Sequence, residues 1–131
     1  YHKKHTNSAY GKFYNWYAVS DPRCLCPLGW RIPTNRDWFD LTEYLESQWK
    51  TKGVELTIKQ LYFGDKSVLQ GGFRSPSGGT FEREFSGFWW SSTAHSFYSY
   101  AGYQSFKLDV RSGYREKAKK RTGMSIRCIK D

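Results

Sequence analysis

The sequence predicts a single α+β domain, and three observations carry that expectation. One segment has a helical period with a start signal in front of it, several short segments alternate apolar and polar residues as strands do, and the glycine-rich stretches between them hold too many rings to be linkers. At 131 residues the chain suits one hydrophobic core rather than two. Residues 1–9 read as a flexible polar arm carrying His2, Lys3, Lys4 and His5, and residues 10–131 as the domain.

From Tyr10 the run YGKFYNWYAV puts Tyr10, Tyr14 and Trp16 on one alternating face and Phe13, Tyr17 and Val19 on the other, the pattern of a strand buried on both sides. Asp21-Pro22 ends it, and the connector CPLGWRIPT leads to the strongest local signal. Thr34 can cap a helix whose third position is Asp37, a capping box with Asp in place of the usual Glu. In that helix Trp38, Leu41, Leu45 and Trp49 form one stripe, expected to face the core, while Asp37, Asp40, Glu43 and Glu46 fall on the outer side. Residues 51 to 69 have no clear period around an expected turn at Gly64-Asp65. The segment from Gln70 to Gly87 reads as ordered loop anchored by Phe73, Phe81 and Phe85. Three late strands follow, FWWSST, GYQSFKLDV and MSIRCIKD, with RSGYREKAKKRTG read as a hairpin connection around Ser112-Gly113 and then a basic run. Of the adjacent Trp89 and Trp90, one is expected in the core because neighbours on a strand face opposite ways.

The composition narrows the classes. With 19% aromatic residues the chain is not a disordered polar tail. A mean hydropathy of -0.77 and the lack of an 18-residue apolar run exclude a membrane-spanning helix. The formal net charge of +9 favours acidic partners. Residues 107 to 131 hold nine bases and three acids, and ten of the rings lie between Phe81 and Phe106, so charge and rings concentrate late in the chain. The first residue is Tyr1 and no export signal precedes the domain, as expected of a processed product or an excised fragment. Of Cys24, Cys26 and Cys128, one bridge plus one spare thiol is the simplest arithmetic. Cys24 and Cys26 face opposite ways on an extended chain, so at most one meets Cys128. Cys26 is preferred, closing roughly 100 residues for about 4 kcal/mol, with three buried reduced thiols as the alternative.

Five motifs in order, YGKFYNWYAV at 10–19, CPLGWRIPTNRDW at 26–38, GGFR at 71–74, FWWSST at 88–93 and GMSIRCIKD at 123–131, resemble the signatures of the Fibrobacter succinogenes major paralogous domain family. That resemblance spans nearly the whole chain. It implies a C-type-lectin-like fold, one or two helices on short twisted antiparallel sheets with long ordered loops and paired terminal strands. The family is similar to formylglycine-generating-enzyme-like and retroelement-diversified variable proteins, and is found in secreted and surface lipoproteins of the Bacteroidetes and Fibrobacteres. The resemblance further implies a bridge between Cys26 and Cys128, leaves Cys24 outside its pattern, and places the ligand surface on the late strands and their loops. Residues 50 to 70 are shorter than the family leads one to expect.

Within that late region, Tyr98, Tyr100 and Tyr103 are the leading contact candidates, followed by Arg111, Tyr114 and Arg115. Tyrosines among small hydroxyl residues give rigid contact area and adaptable hydrogen bonds, although each ring can equally finish the core with its hydroxyl wet. Calcium-mediated sugar binding is not expected, because FWWSST offers hydroxyls and no carboxylate where lectins place their cation ligands. Nor is catalysis or a cofactor expected. Cys24 and Cys26 can clamp a soft metal only if the backbone curls, His2 and His5 lack the spacing of a zinc site, and His95 has no evident partner in sequence. The basic run with Lys117, Lys119, Lys120 and Arg121 comes without a nucleic-acid-binding motif, so nucleic acid is not the expected partner, and a solvated hairpin is the plainer reading. The function expected is a calcium-independent adhesion or recognition module outside the cell or on its surface, as part of a lipoprotein or a larger polypeptide. Its ligand would be a polysaccharide, anionic or neutral, or a surface protein, with the local charge favouring an anion. The alternative is a structural or assembly module of a cell-envelope complex with no small ligand.

Overall fold

The computed structural model describes residues 12–52, 72–81, 86–95, 98–107 and 114–131. The architecture is α+β with small antiparallel sheets. In chain order the elements are α1 (Trp16–Val19), β1 (Trp30–Arg31), α2 (Asn35–Lys52), β2 (Phe73–Arg74), β3 (Thr80–Phe81), β4 (Ser86–Ala94), β5 (Tyr100–Lys107), β6 (Tyr114–Lys119) and β7 (Ile129–Lys130). The largest sheet has the order β4-β5-β6, while β1 pairs with β7 and β2 with β3. Among the described residues no helix is long and apolar enough to cross a membrane.

The expected strand at 10–19 is instead a single β-bridge, Tyr14 to Met124, followed by the one-turn helix α1; Tyr10 lies outside the described residues. The side chain of Asn15 caps the turn by accepting from the Ala18 amide at 3.1 Å. The turn is preferred because it brings Trp16 and Val19, three apart, onto one face, and both are buried there. A strand would have sent them to opposite sides. Two indoles then lock this segment to β4: Trp16 Nε1 donates to the Ser91 carbonyl at 2.8 Å and Trp90 Nε1 to the Tyr14 carbonyl at 2.7 Å.

The start of α2 follows the predicted capping box. The Asp37 amide donates to Thr34 Oγ1 at 3.2 Å, and the Asp37 carboxylate accepts from the Thr34 amide at 2.8 Å. Arg31 adds an ion pair to Asp37 and a second to Asp131 at 3.3 Å, tying the helix start to the β1–β7 pair. The Arg31 hydrogen bonds, helped by the amide and hydroxyl of Thr34, outweigh the cost of partial burial and hold the Asp37 carboxyl well below its ordinary value of 3.8. A depressed pKa contributes stability that is complete above that ordinary value and is lost as pH falls toward the folded one. Asp37→Ala is accordingly expected to cost about 1 kcal/mol near neutral pH. In denaturant titrations the gap between wild type and variant should close on acidification below pH 3.8; a gap independent of pH would contradict the ion-paired cap. Along the predicted stripe Trp38 is buried, but Leu41 is exposed, so the inward face is confined to the helix start in that pair. The side chains of Leu45 and Trp49 lie outside the description. On the acidic side Asp40 pairs with Arg36 at 3.1 Å.

Both Trp89 and Trp90 are buried, correcting the expectation that only one would be. They do face opposite ways, but the β4-β5-β6 sheet is covered on both sides. Trp90 joins Trp16, Val19, Cys26, Ile32, Phe88, Ala101 and Met124 in the main core, whereas Trp89 meets Trp38 of α2 with ring centroids 6.4 Å apart. Gly87 makes room for this arrangement, since a Cβ there would stand 2.0 Å from the Trp89 ring.

The glycine-rich loop contains the small hairpin β2–β3, closed by Ser75 donating to the Gly79 carbonyl at 2.7 Å, with Gly78 at φ +107. Phe73 packs against the core and stacks on Phe81, which is half exposed; Phe85 and the Gly64-Asp65 turn lie outside the described residues, as do residues 1–9. The basic run is a strand rather than a loop. Ala118 of β6 stands opposite the buried Ala101, and pairing with β5 outweighs the weak strand preference of YREKAK.

Three consecutive residues near the C-terminal side hold the segments together. Gly123 exchanges two backbone bonds with Arg74 and Met124 two with Tyr14, while Ser125 bonds Phe88 and Trp90 of β4. A Cβ on Gly123 would lie 3.1 Å from that of Arg74 and 3.2 Å from that of Phe13. Beyond this junction Cys128 forms a disulfide with Cys26, Cα atoms 5.8 Å apart, and Cys24 is free and exposed.

Candidate functional site

Seating α2 on the sheet creates a cleft. Gly102 of β5 lets the helix start approach, since a Cβ there would meet Asn35 Oδ1 at 2.5 Å. The Asn35 amide donates to Thr93 Oγ1 at 3.0 Å, and the Ser92 amide to the Pro33 carbonyl at 2.8 Å, which fixes the helix against the end of β4. Between these parts lies a cavity of about 270 Å³ lined by Asn35, Ala94, His95, Gly102, Glu116 and Lys117. The Asn35 amide group meets Gly102 there and the Lys117 side chain shares that side of the sheet, whereas Glu116, opposite Tyr103, directs its side chain to the other side and accepts from the Lys117 amide at 3.1 Å.

Tyr100 borders this cleft. The Lys117 ammonium lies 5.9 Å from the Tyr100 ring centre, a cation–π contact worth about 0.5–1 kcal/mol at an exposed site. The His95 amide donates to the Tyr100 carbonyl at 3.2 Å, so the chain reverses beside the cleft. Lys117, Lys119 and Arg121 are exposed along and just after β6, at the edge of the sheet, where cations also discourage pairing with a second edge. Lys120 is engaged differently, with its ammonium 4.7 Å from the Trp16 ring centre.

The predicted contact residues are divided by the strand period. Tyr98 stands in the turn before β5 with a relative exposure of 95%. Tyr100 shares the cleft side with Lys117, whereas Tyr103, three residues on, points to the core side and meets Phe88 with centroids 5.8 Å apart. Tyr114 and Arg115 are described as backbone positions of β6 opposite Ser105 and Gln104, and Arg111 lies outside the described residues. Asn35, His95, Glu116 and Lys117 were not singled out as one site by the sequence. They lie on three separate segments, and Gly102 is the one local sign that something approaches β5. Among the described residues no cluster of three or more His, Cys, Asp or Glu is placed to hold a metal ion.

The geometry defines an α+β domain with a small polar cleft beside a basic sheet edge. Residues 1–130 match the model of the Fibrobacter succinogenes major domain, and the chain belongs to that family. No curated protein and no solved structure matches it.

Proposed function

We propose that this chain is a C-type-lectin-like recognition module, without catalysis or calcium, that acts outside the cell or on its outer surface within a larger anchored polypeptide. The disulfide favours an oxidising compartment. Its ligand is an anionic polysaccharide. The observation that carries this reading is the polar cleft of about 270 Å³ with the Lys117–Tyr100 pair on its border and further exposed cations along β6. A ring able to cover a sugar face, an ammonium able to meet a carboxylate or sulfate, and an amide able to bond hydroxyls are together at one place. Tyr98 extends the aromatic surface, while Tyr103 supports it from the core side.

The test is binding to an array of acidic and neutral polysaccharides, followed by calorimetry on those retained. Tyr100→Ala and Lys117→Glu are each expected to weaken binding about tenfold, near 1.4 kcal/mol. Rising salt should weaken the acidic ligands steeply and neutral ones little. Neither exchange should alter the melting temperature by more than a few degrees. Retention of an acidic glycan at full strength by the double variant would exclude this cleft as its site.

A further inference from the structure

We infer that the turn from Cys24 to Trp30 is a contact for an anionic lipid surface, a rigid apolar knob that enters the interface of a bilayer. This site is remote in sequence from the cleft residues and does not depend on the ligand proposed for them. Within six residues Leu25, Leu28 and Trp30 have relative exposures of 37, 103 and 42%, and Pro27 is exposed with them. An isolated exposed leucine is ordinary, but this group is concentrated on one turn with Leu28 wholly in solvent.

The turn is held on every side. Cys26 is joined to Cys128, the Trp30 amide donates to the Pro27 carbonyl at 2.9 Å, the Asp131 amide donates to the Gly29 carbonyl at 2.9 Å, and Trp30 stands opposite Lys130 in the β1–β7 pair. Gly29 at φ +86 permits the reversal. Leu28 is therefore presented without the loss of freedom that ordering a loop would require on binding.

The surrounding charge selects the partner. Arg23, Arg31, Arg127 and Lys130 outnumber Asp21, Asp37 and Asp131, and each of these acids is already paired with an arginine, Asp21 with Arg23 at 2.8 Å and both Asp37 and Asp131 with Arg31, the latter at 3.3 Å. An exposed tryptophan beside a leucine apex, with cations around the base, matches the layers of an anionic membrane: acyl chains, interface and charged headgroups. A bilayer accepts a convex apolar turn without a preformed pocket.

The experiment is co-sedimentation of the whole chain with phosphatidylcholine–phosphatidylglycerol vesicles and with phosphatidylcholine vesicles. Because a basic protein adheres to any anionic surface, the deciding variants are charge-neutral, Leu28→Asn and, separately, Leu25→Asn. Binding to the anionic vesicles is expected, with Leu28→Asn weakening it about tenfold. Trp30→Phe should remove part of the blue shift in tryptophan emission that vesicles produce. The unchanged melting temperature of Leu28→Asn would show that folding is intact. Equal vesicle binding by wild type and both asparagine variants would overturn the proposal and leave only diffuse electrostatic adhesion. Absence of binding to anionic vesicles would overturn it too.

Discussion

Trp90→Ala is expected to destabilise the domain by about 3–5 kcal/mol, measured by denaturant unfolding. Trp90 has no solvent exposure and lies within the main core, so truncation leaves a cavity bounded by rings and aliphatic groups that belong to several segments. It also removes the donor from the Tyr14 carbonyl, which Trp90 Nε1 meets at 2.7 Å. Because total stability for such a domain is about 5–15 kcal/mol, the loss is a large share of it. Trp90→Phe should fall between the two, keeping a ring but not the bond. A loss below about 1 kcal/mol for the alanine variant would mean that the core is able to close around the gap, contrary to its packing.

Removing the disulfide by the joint exchange Cys26→Ser and Cys128→Ser is expected to cost about 2–5 kcal/mol. The bridge spans 102 residues, so its loss frees most of the unfolded chain from a closure constraint. In the native state it lies beside β1–β7, a sheet of only two residue pairs. Faster hydrogen exchange at the Asp131 amide, now bonded to the Gly29 carbonyl, should accompany the loss of stability. Alkylation without reduction should label Cys24 alone, and labelling of all three thiols would contradict the bridge.

The features legible in the sequence are those whose causes are local. Thr34 and Asp37 lie three apart, and a helix start satisfies its first amides through that spacing wherever it is placed. Two of the late strands, β4 and β5, were legible for a similar reason, as alternation is a property of a few neighbours. MSIRCIKD is instead two isolated bridges at Met124 and Ser125 and the two residues of β7, because its backbone partners are scattered over Tyr14, β4 and β1. The run at 10–19 misled because its rings fit alternation, yet one capped turn places Trp16 and Val19 together in a core that the local sequence does not contain. YREKAK offered too little apolar material to announce a strand; its partner β5 supplies the pairing.

The candidate site divides in the same way. Rings and charge marked the late region, and the period of two along a strand could already separate Tyr100 from Tyr103 once the strand was placed. The cleft could not be read, because Asn35 and Lys117 come to line one cleft only when α2 lies across Gly102. By itself the sequence determined the helix and its cap, the strand-rich second half, the cysteine arithmetic and the basic late segment, all set by residues within a few positions of one another. The tertiary structure decided that both tryptophans of FWWSST are buried, which residues line the cleft and that Leu28 stands in solvent. Burial and proximity depend on what other segments cover, and that is fixed only when distant parts of the chain pack.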